Sequence, residues 1–192
     1  MKQILSIIIL CGMTFNAKAQ DASVEKSTFG IQTGFFGVWL HNEAKLSNAI
    51  ALRTEIGING GLWGGEYYEK TGFLLIPVII IEPRFYYNLN NRVKQSRRID
   101  GNSGNFISLK NSYHIDWSIF SNTDNIELIS HLSIVPTWGI RRNIGKYFNY
   151  EAGIGLGFNI NFAKRTGYIE NEIKAIGNYH LQIGYRFATS RS

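Results

Sequence analysis

Asn178 to Phe187 reads NYHLQIGYRF. Tyr179, Leu181, Ile183, Tyr185 and Phe187 fall on one face of an extended chain; Asn178, His180, Gln182, Gly184 and Arg186 fall on the other. Successive side chains of a strand point to opposite sides, so this strict alternation predicts a strand with one apolar and one polar face. The same period recurs upstream, and it sets the fold class as all-β.

Six earlier segments alternate in the same way: 29–40, 50–59, 79–89, 107–117, 126–141 and 148–162. The first is the least clean, because Phe29, Ile31, Thr33, Phe35 and Trp39 share a face while Phe36, Val38 and Leu40 sit opposite. Between the segments lie turn-rich connectors at 41–47, 60–72, 90–104, 118–124, 142–147 and 163–177, with no helical periodicity of useful length. Segments of this length exceed the ~5–6 residues usual in soluble strands and suit tilted membrane strands of ~9–11 residues with extensions. The pattern is that of an antiparallel up-and-down β-barrel. A single-chain bacterial barrel closes with an even strand number. Eight strands are therefore expected, the eighth lying in Asp21–Ser27, in Lys164–Ala175 or in a split of the first segment.

Alternation alone does not say which face points inward: a soluble lipocalin-like barrel encloses its apolar face, and a membrane barrel its polar one. Three features favour the membrane version. The polar faces carry Arg53, Arg84, Lys110, Arg141 and Arg186 against Glu55, Glu82, Asp116, Glu127 and Glu151. A closed interior needs such a balance, because unpaired buried charge is costly. Gly153, Gly155 and Gly157 also lie on the polar face, where small residues make room in a narrow lumen. Trp39, Trp117, Trp138, Tyr113, Tyr150, Tyr179, Tyr185 and Phe187 lie on the apolar face, as interfacial girdles do. An eight-stranded interior is just wide enough for side chains to fill, so the charges are expected to be structural and no conducting pore is expected.

The N-terminus shows an export signal: Lys2, the apolar run Ile4 to Leu10, and Ala17-Lys18-Ala19 as the cleavage site. Residues 1–19 are assigned to the signal peptide and 20–192 to one barrel domain. Lipidation at Cys11 is the alternative, disfavoured by the bulky Leu10 before it. Cleavage removes Cys11, the only cysteine, and with it any disulfide or thiolate chemistry. Lys2 and Lys18 leave too, so 20 basic residues become 18 against 14 acidic, a net charge of +4. Apart from Arg97-Arg98 and Arg141-Arg142 the basic residues are dispersed, which argues against nucleic acid.

Three stretches stand out: Glu82-Pro83-Arg84-Phe85-Tyr86-Tyr87-Asn88-Leu89, the turn Trp138-Gly139-Ile140-Arg141-Arg142-Asn143-Ile144-Gly145, and Ile183-Gly184-Tyr185-Arg186-Phe187. Through them the chain from Thr28 to Phe187 resembles small outer-membrane β-barrel proteins of the OmpX-like or OmpA-transmembrane-domain-like kind, and most of all the barrels of Bacteroidetes-type bacteria. That last stretch resembles the C-terminal signal read by the outer-membrane assembly machinery, Tyr185 and Phe187 being its aromatic residues; Ala188 to Ser192 follow it. The resemblance implies a monomer in the bacterial outer membrane, in contact with membrane lipid and lipopolysaccharide, and no particular activity. With the C-terminal strand ending in the periplasm, Arg142–Tyr147 becomes a periplasmic turn and 163–177 an extracellular loop.

Candidate chemistry is sparse. His114 with Asp116 and Ser112, or His131 with Ser133 and Glu127, could be cast as hydrolase sets like those of lipid A deacylases, yet i, i+2 spacing shows only a shared face. No HxH or HxxxH pair suggests a metal, and no cofactor is expected. The connector around Trp63 and Glu66–Lys70 offers aromatic and charged contacts for a surface partner. Arg92 to Arg98 carries four basic residues that either touch lipopolysaccharide phosphates or solvate a turn. The expected role is structural or surface-interactive and not enzymatic. A lipid A-modifying hydrolase and a soluble periplasmic lipocalin-like barrel are the alternatives.

Overall fold

The computed structural model describes residues 22–63, 71–123 and 128–187. The export signal, the loop around Glu66, Glu127 and the last five residues lie outside them.

Among the described residues nine strands run β1 (Ser27–Gly34), β2 (Gly37–Lys45), β3 (Ile50–Trp63), β4 (Gly72–Tyr86), β5 (Asn105–His114), β6 (Phe120–Ser121), β7 (His131–Ile144), β8 (Phe148–Asn161) and β9 (Glu172–Arg186). Eight of them close a ring in the order β1-β2-β3-β4-β5-β7-β8-β9, every pairing antiparallel, with β9 returning to β1. The two-residue β6 resumes the β5 edge of β4 above a break. The barrel is closed and eight-stranded.

The missing strand is the split of the first segment. β1 and β2 form a hairpin in which Gly34 faces Gly37 across the two-residue turn Phe35–Phe36. The turn resets the parity of the chain, so Phe29 and Ile31 point outward on odd numbers while Val38 and Leu40 point outward on even ones. Trp39 is consequently inside the lumen, only 8% exposed, and not in an outer girdle. The connectors also differ: β2 runs on to Lys45, inside 41–47. β9 begins at Glu172, so the β8–β9 hairpin is paired well into 163–177, and the connector after β4 holds a short helix, α1 (Leu89–Lys94), too brief to leave a periodic signal.

Elsewhere the faces follow the alternation. Ile56, Ile81, Ile107, Ile154, Leu156, Phe158, Leu181 and Ile183 are exposed on the outside, while Arg53, Glu55, Glu82, Arg84, Arg141 and Glu151 are buried inside. The barrel is inside-out relative to a soluble protein. One end, the base, gathers the turns 46–49 and 145–147, the connector 87–104 and the start of β1; the other, the mouth, gathers the Phe35–Phe36 turn and the β8–β9 hairpin tip.

Candidate functional site

Register builds the interior. Glu43 of β2 stands opposite Arg53 of β3, which stands opposite Glu82 of β4; across the lumen Arg141 of β7 stands opposite Glu151 of β8. Opposite charges on cross-strand pairs attract, and here they also reach across the barrel. Arg84 forks onto Glu151, Nη1 donating to Oε2 at 2.8 Å and Nη2 to Oε1 at 2.6 Å, and it also bonds Glu82 at 2.7 Å. Such bidentate, charge-assisted pairs are the strongest and most oriented of protein hydrogen bonds. The Arg84 guanidinium also lies 4.3 Å from the centre of the Phe106 ring.

Glu43 is the hub. Its Oε2 lies 3.0 Å from Arg141, 3.4 Å from Arg53 and 3.9 Å from Arg84, and its Oε1 accepts from Tyr86 Oη at 2.8 Å and Asn102 Nδ2 at 2.7 Å. Arg53 further bonds Glu55 and Gln32, and Ser108 Oγ donates to Glu82 at 2.6 Å. Three arginines thus meet four glutamates in one buried cluster, with His180 Nε2 at 3.5 Å from Glu151.

Of the ten charges read from the sequence, Arg53, Glu55, Glu82, Arg84, Arg141 and Glu151 come together in this cluster. Glu43 joins them from within the 41–47 connector of the sequence reading, because β2 runs through it to Lys45; the alternation of Trp39, His41 and Glu43 is the signal that marks it. Three others lie elsewhere. Asp116 is exposed in the break after β5, where the ladder has ended. Arg186, at the last rung of β9, turns to the base and bonds Asp100 at 3.2 Å. Lys110 sits opposite Val135, one inward step above Ser108, and among the described residues no carboxylate comes within ion-pair distance of it. Glu127 falls outside the described residues.

Below the cluster the base is plugged. Val24, Ala51, Tyr86, Leu89 and Phe106 form an apolar knot under the arginines. The connector 87–104 folds back over it: Asn102 Oδ1 accepts from the Glu25 backbone at 2.7 Å while its amide reaches Glu43. Gly101 has φ 57°, and a Cβ there would collide with the Arg186 guanidinium, so both conformation and space require glycine. Asp100 accepts two hydrogen bonds from Arg98 and one from Arg186, and these contacts, the Arg98 bonds first, hold its carboxyl below the usual range against partial burial. The basic run 92–98 is spent partly on this loop: Arg92 donates to the Arg98 carbonyl at 2.8 and 3.1 Å. It lies at the same end as the 145–147 turn.

Above the cluster the lumen changes character. Trp39, Val78 and Ile80 make an apolar layer, and Trp39 Nε1 donates to Asn59 at 2.9 Å. At the mouth His114 stacks on His131, 4.3 Å between ring centres and 16° between planes. His114 Nε2 meets the Asn59 amide at 2.8 Å, and His131 Nδ1 meets the Ile129 carbonyl at 3.4 Å. The two histidines therefore turn to each other and to these groups, not to the Ser112–Asp116 or Ser133 partners considered from spacing.

On the outside, aromatic residues collect at the base. Tyr185 packs against Tyr147, Phe148 and Phe187 with ring centres 5.3–5.9 Å apart, and Trp138 Nε1 donates to Tyr87 Oη at 2.8 Å. Comparison of the chain with protein-family models, with curated proteins and with solved structures gives no match.

Proposed function

We propose that this chain is an exported, integral outer-membrane β-barrel of a Gram-negative bacterium, monomeric and non-catalytic, with a structural or surface-interaction role. One observation carries the proposal: arginine and glutamate fill the interior at 0–3% exposure while isoleucine, leucine, phenylalanine and tyrosine cover the outside. In water that sorting would be ruinous, since apolar burial is the main driving force of folding. In lipid it is the stable arrangement, because ring closure pairs the strand backbone where no water can. The aromatic collar of Tyr147, Phe148, Tyr185 and Phe187 supports the same reading, as interfacial anchors and, at Tyr185 and Phe187, as the end of an assembly signal. Outer-membrane lipid and lipopolysaccharide are then its surroundings.

The arginine–glutamate cluster and the plug beneath it obstruct the base, so the barrel is a wall element, not a pore. The test is heat-modifiability. Membrane fractions run on a denaturing gel with and without boiling should give a band that shifts on boiling and is recovered only with detergent. A band that neither shifts nor needs detergent would sink the proposal. Lipid A mass spectra with and without the gene should show one acyl pattern; a difference would establish the hydrolase alternative.

A further inference from the structure

The barrel wall is uneven at the mouth. β1 pairs with β9 only from Gly30–Arg186 to Gly34–Gln182, and then turns into β2. β9 continues from Leu181 back to Glu172, paired on its other side with β8 alone. β2 likewise leaves β3 at Asn59, while β3 runs on to Trp63 beside β4. Above the short β1–β2 hairpin the described wall therefore has a lateral notch between β3 and β9.

A cavity of about 210 Å³ occupies the foot of this notch. Its lining includes Asn178, His180 and Gln182 from the inner face of β9 and also Tyr179 and Leu181 from the outer face of the same strand. β9 has no β1 partner beyond Gln182 toward Glu172, so the cavity lies against an open strand edge, between side chains of the inner face and those of the outer face. Its inner lining holds Lys110, Asn59 and Trp39; its outer lip holds Phe35 and Phe36, 80% and 57% exposed.

The polar groups within are unequal. Asn59 is held by Trp39 and His114, and Asn178 bonds Thr137 Oγ1 at 3.1 Å and meets His180 Nδ1 at 3.2 Å. Lys110 acts electrostatically on Glu82 across the β4–β5 pair but makes no hydrogen bond or ion-pair contact among the described residues, whereas every arginine of the cluster below it is paired. A half-buried ammonium in a lumen pocket asks for an anion. An aromatic lip beside it asks for a chain of methylenes.

We propose that the notch binds an anionic amphiphile, its single carboxylate or phosphate headgroup on Lys110 and its acyl tail passing between Tyr179–Leu181 and Phe35–Phe36 into the lipid. The tail's exit rests on the membrane reading above; the headgroup site does not.

The test is equilibrium binding to the full chain in neutral phosphatidylcholine nanodiscs, with laurate and dodecyl phosphate as tailed probes and acetate and inorganic phosphate as tail-less ones. Saturable one-to-one binding of a tailed probe is expected, and whichever tailed probe binds more tightly identifies the headgroup. Lys110→Gln should weaken it about tenfold or more, and Lys110→Arg should restore it, as loss of a charge-assisted hydrogen bond requires. Folding of each variant is checked by its shift on boiling. Acetate or phosphate binding as tightly as its tailed counterpart would overturn the lateral route. Binding that is absent, or indifferent to Lys110→Gln in a folded protein, would overturn the site. Should the protein prove detergent-independent, the same titration in buffer separates the two ideas: Lys110-dependent laurate binding there would cost the membrane reading alone.

Discussion

The base and the mouth of this barrel share the same eight strands and differ in what fills them. At the base Glu43 answers three arginines, Arg84 forks onto Glu151, and the connector 87–104 closes over the apolar knot. Toward the mouth Lys110 makes no ion-pair contact among the described residues, two histidines stack, and the short β1–β2 hairpin leaves a cavity at the open edge of β9. The contrast teaches that a barrel wall specifies room, and that complementary charge decides whether the room is sealed. Buried charges with mutual partners lock a lumen; a charge without one leaves it receptive.

Four substitutions probe that contrast, each read as the folded fraction on a gel across a urea series in lipid vesicles. Glu43→Ala should have the largest effect, about 3–5 kcal/mol, because it removes the one carboxylate that three buried guanidinium groups share and takes the acceptor from Tyr86 Oη and the Asn102 amide. A loss below about 1 kcal/mol would show that the base is held by its plug and not by the hub. Ile154→Arg, on the outer face beside Trp138 and Tyr179, should cost about 2–4 kcal/mol near mid-bilayer. Unaltered stability there would reverse the assignment of faces for both halves at once.

Gly155→Ala tests how tightly the middle is packed. Its Cβ would meet the Pro136 carbonyl, with Thr137 Oγ1 at 2.6 Å and Val135 Cγ1 at 3.0 Å, so overpacking of about 1–3 kcal/mol is expected. Asp100→Asn, which loosens the loop over the base, should cost at most about 1 kcal/mol. Its signature is the pH dependence. The folded protein holds this carboxyl low, so its contribution is complete above the ordinary carboxylate range and fades as pH falls through the folded value. The gap between wild type and Asp100→Asn should therefore be full at pH 7 and narrow below about pH 4. A gap that is flat with pH would detach Asp100 from the closure of the base.

Much of the wall was legible in residue order. The alternation of Ile79, Ile81, Phe85 against Glu82, Arg84, or of Tyr179, Leu181, Ile183 against His180, Gln182, placed each side chain on its face. The parity flip between Ile31 and Val38 marked the Phe35–Phe36 turn. It makes a split of the first segment one of three places for the eighth strand, but the two Phe residues continue the apolar run and hide the turn, so parity counted from Phe29 puts Trp39 on the outer face. Six of the ten interior charges met as a group for the same local reason. Lys110, Asp116 and Arg186 did not, because alternation gives a face and says nothing of height along the barrel.

The sequence by itself determined a chain of two-faced strands that must close into an antiparallel ring, since period two is a property of neighbours. Only the tertiary structure decided that the polar face turns inward, that Glu43 meets an arginine 98 positions away, and that β1 stops short of β9 to leave a notch. The physical reason is separation: those contacts come from ring closure and strand stagger, which set partners across the lumen that no local pattern encodes.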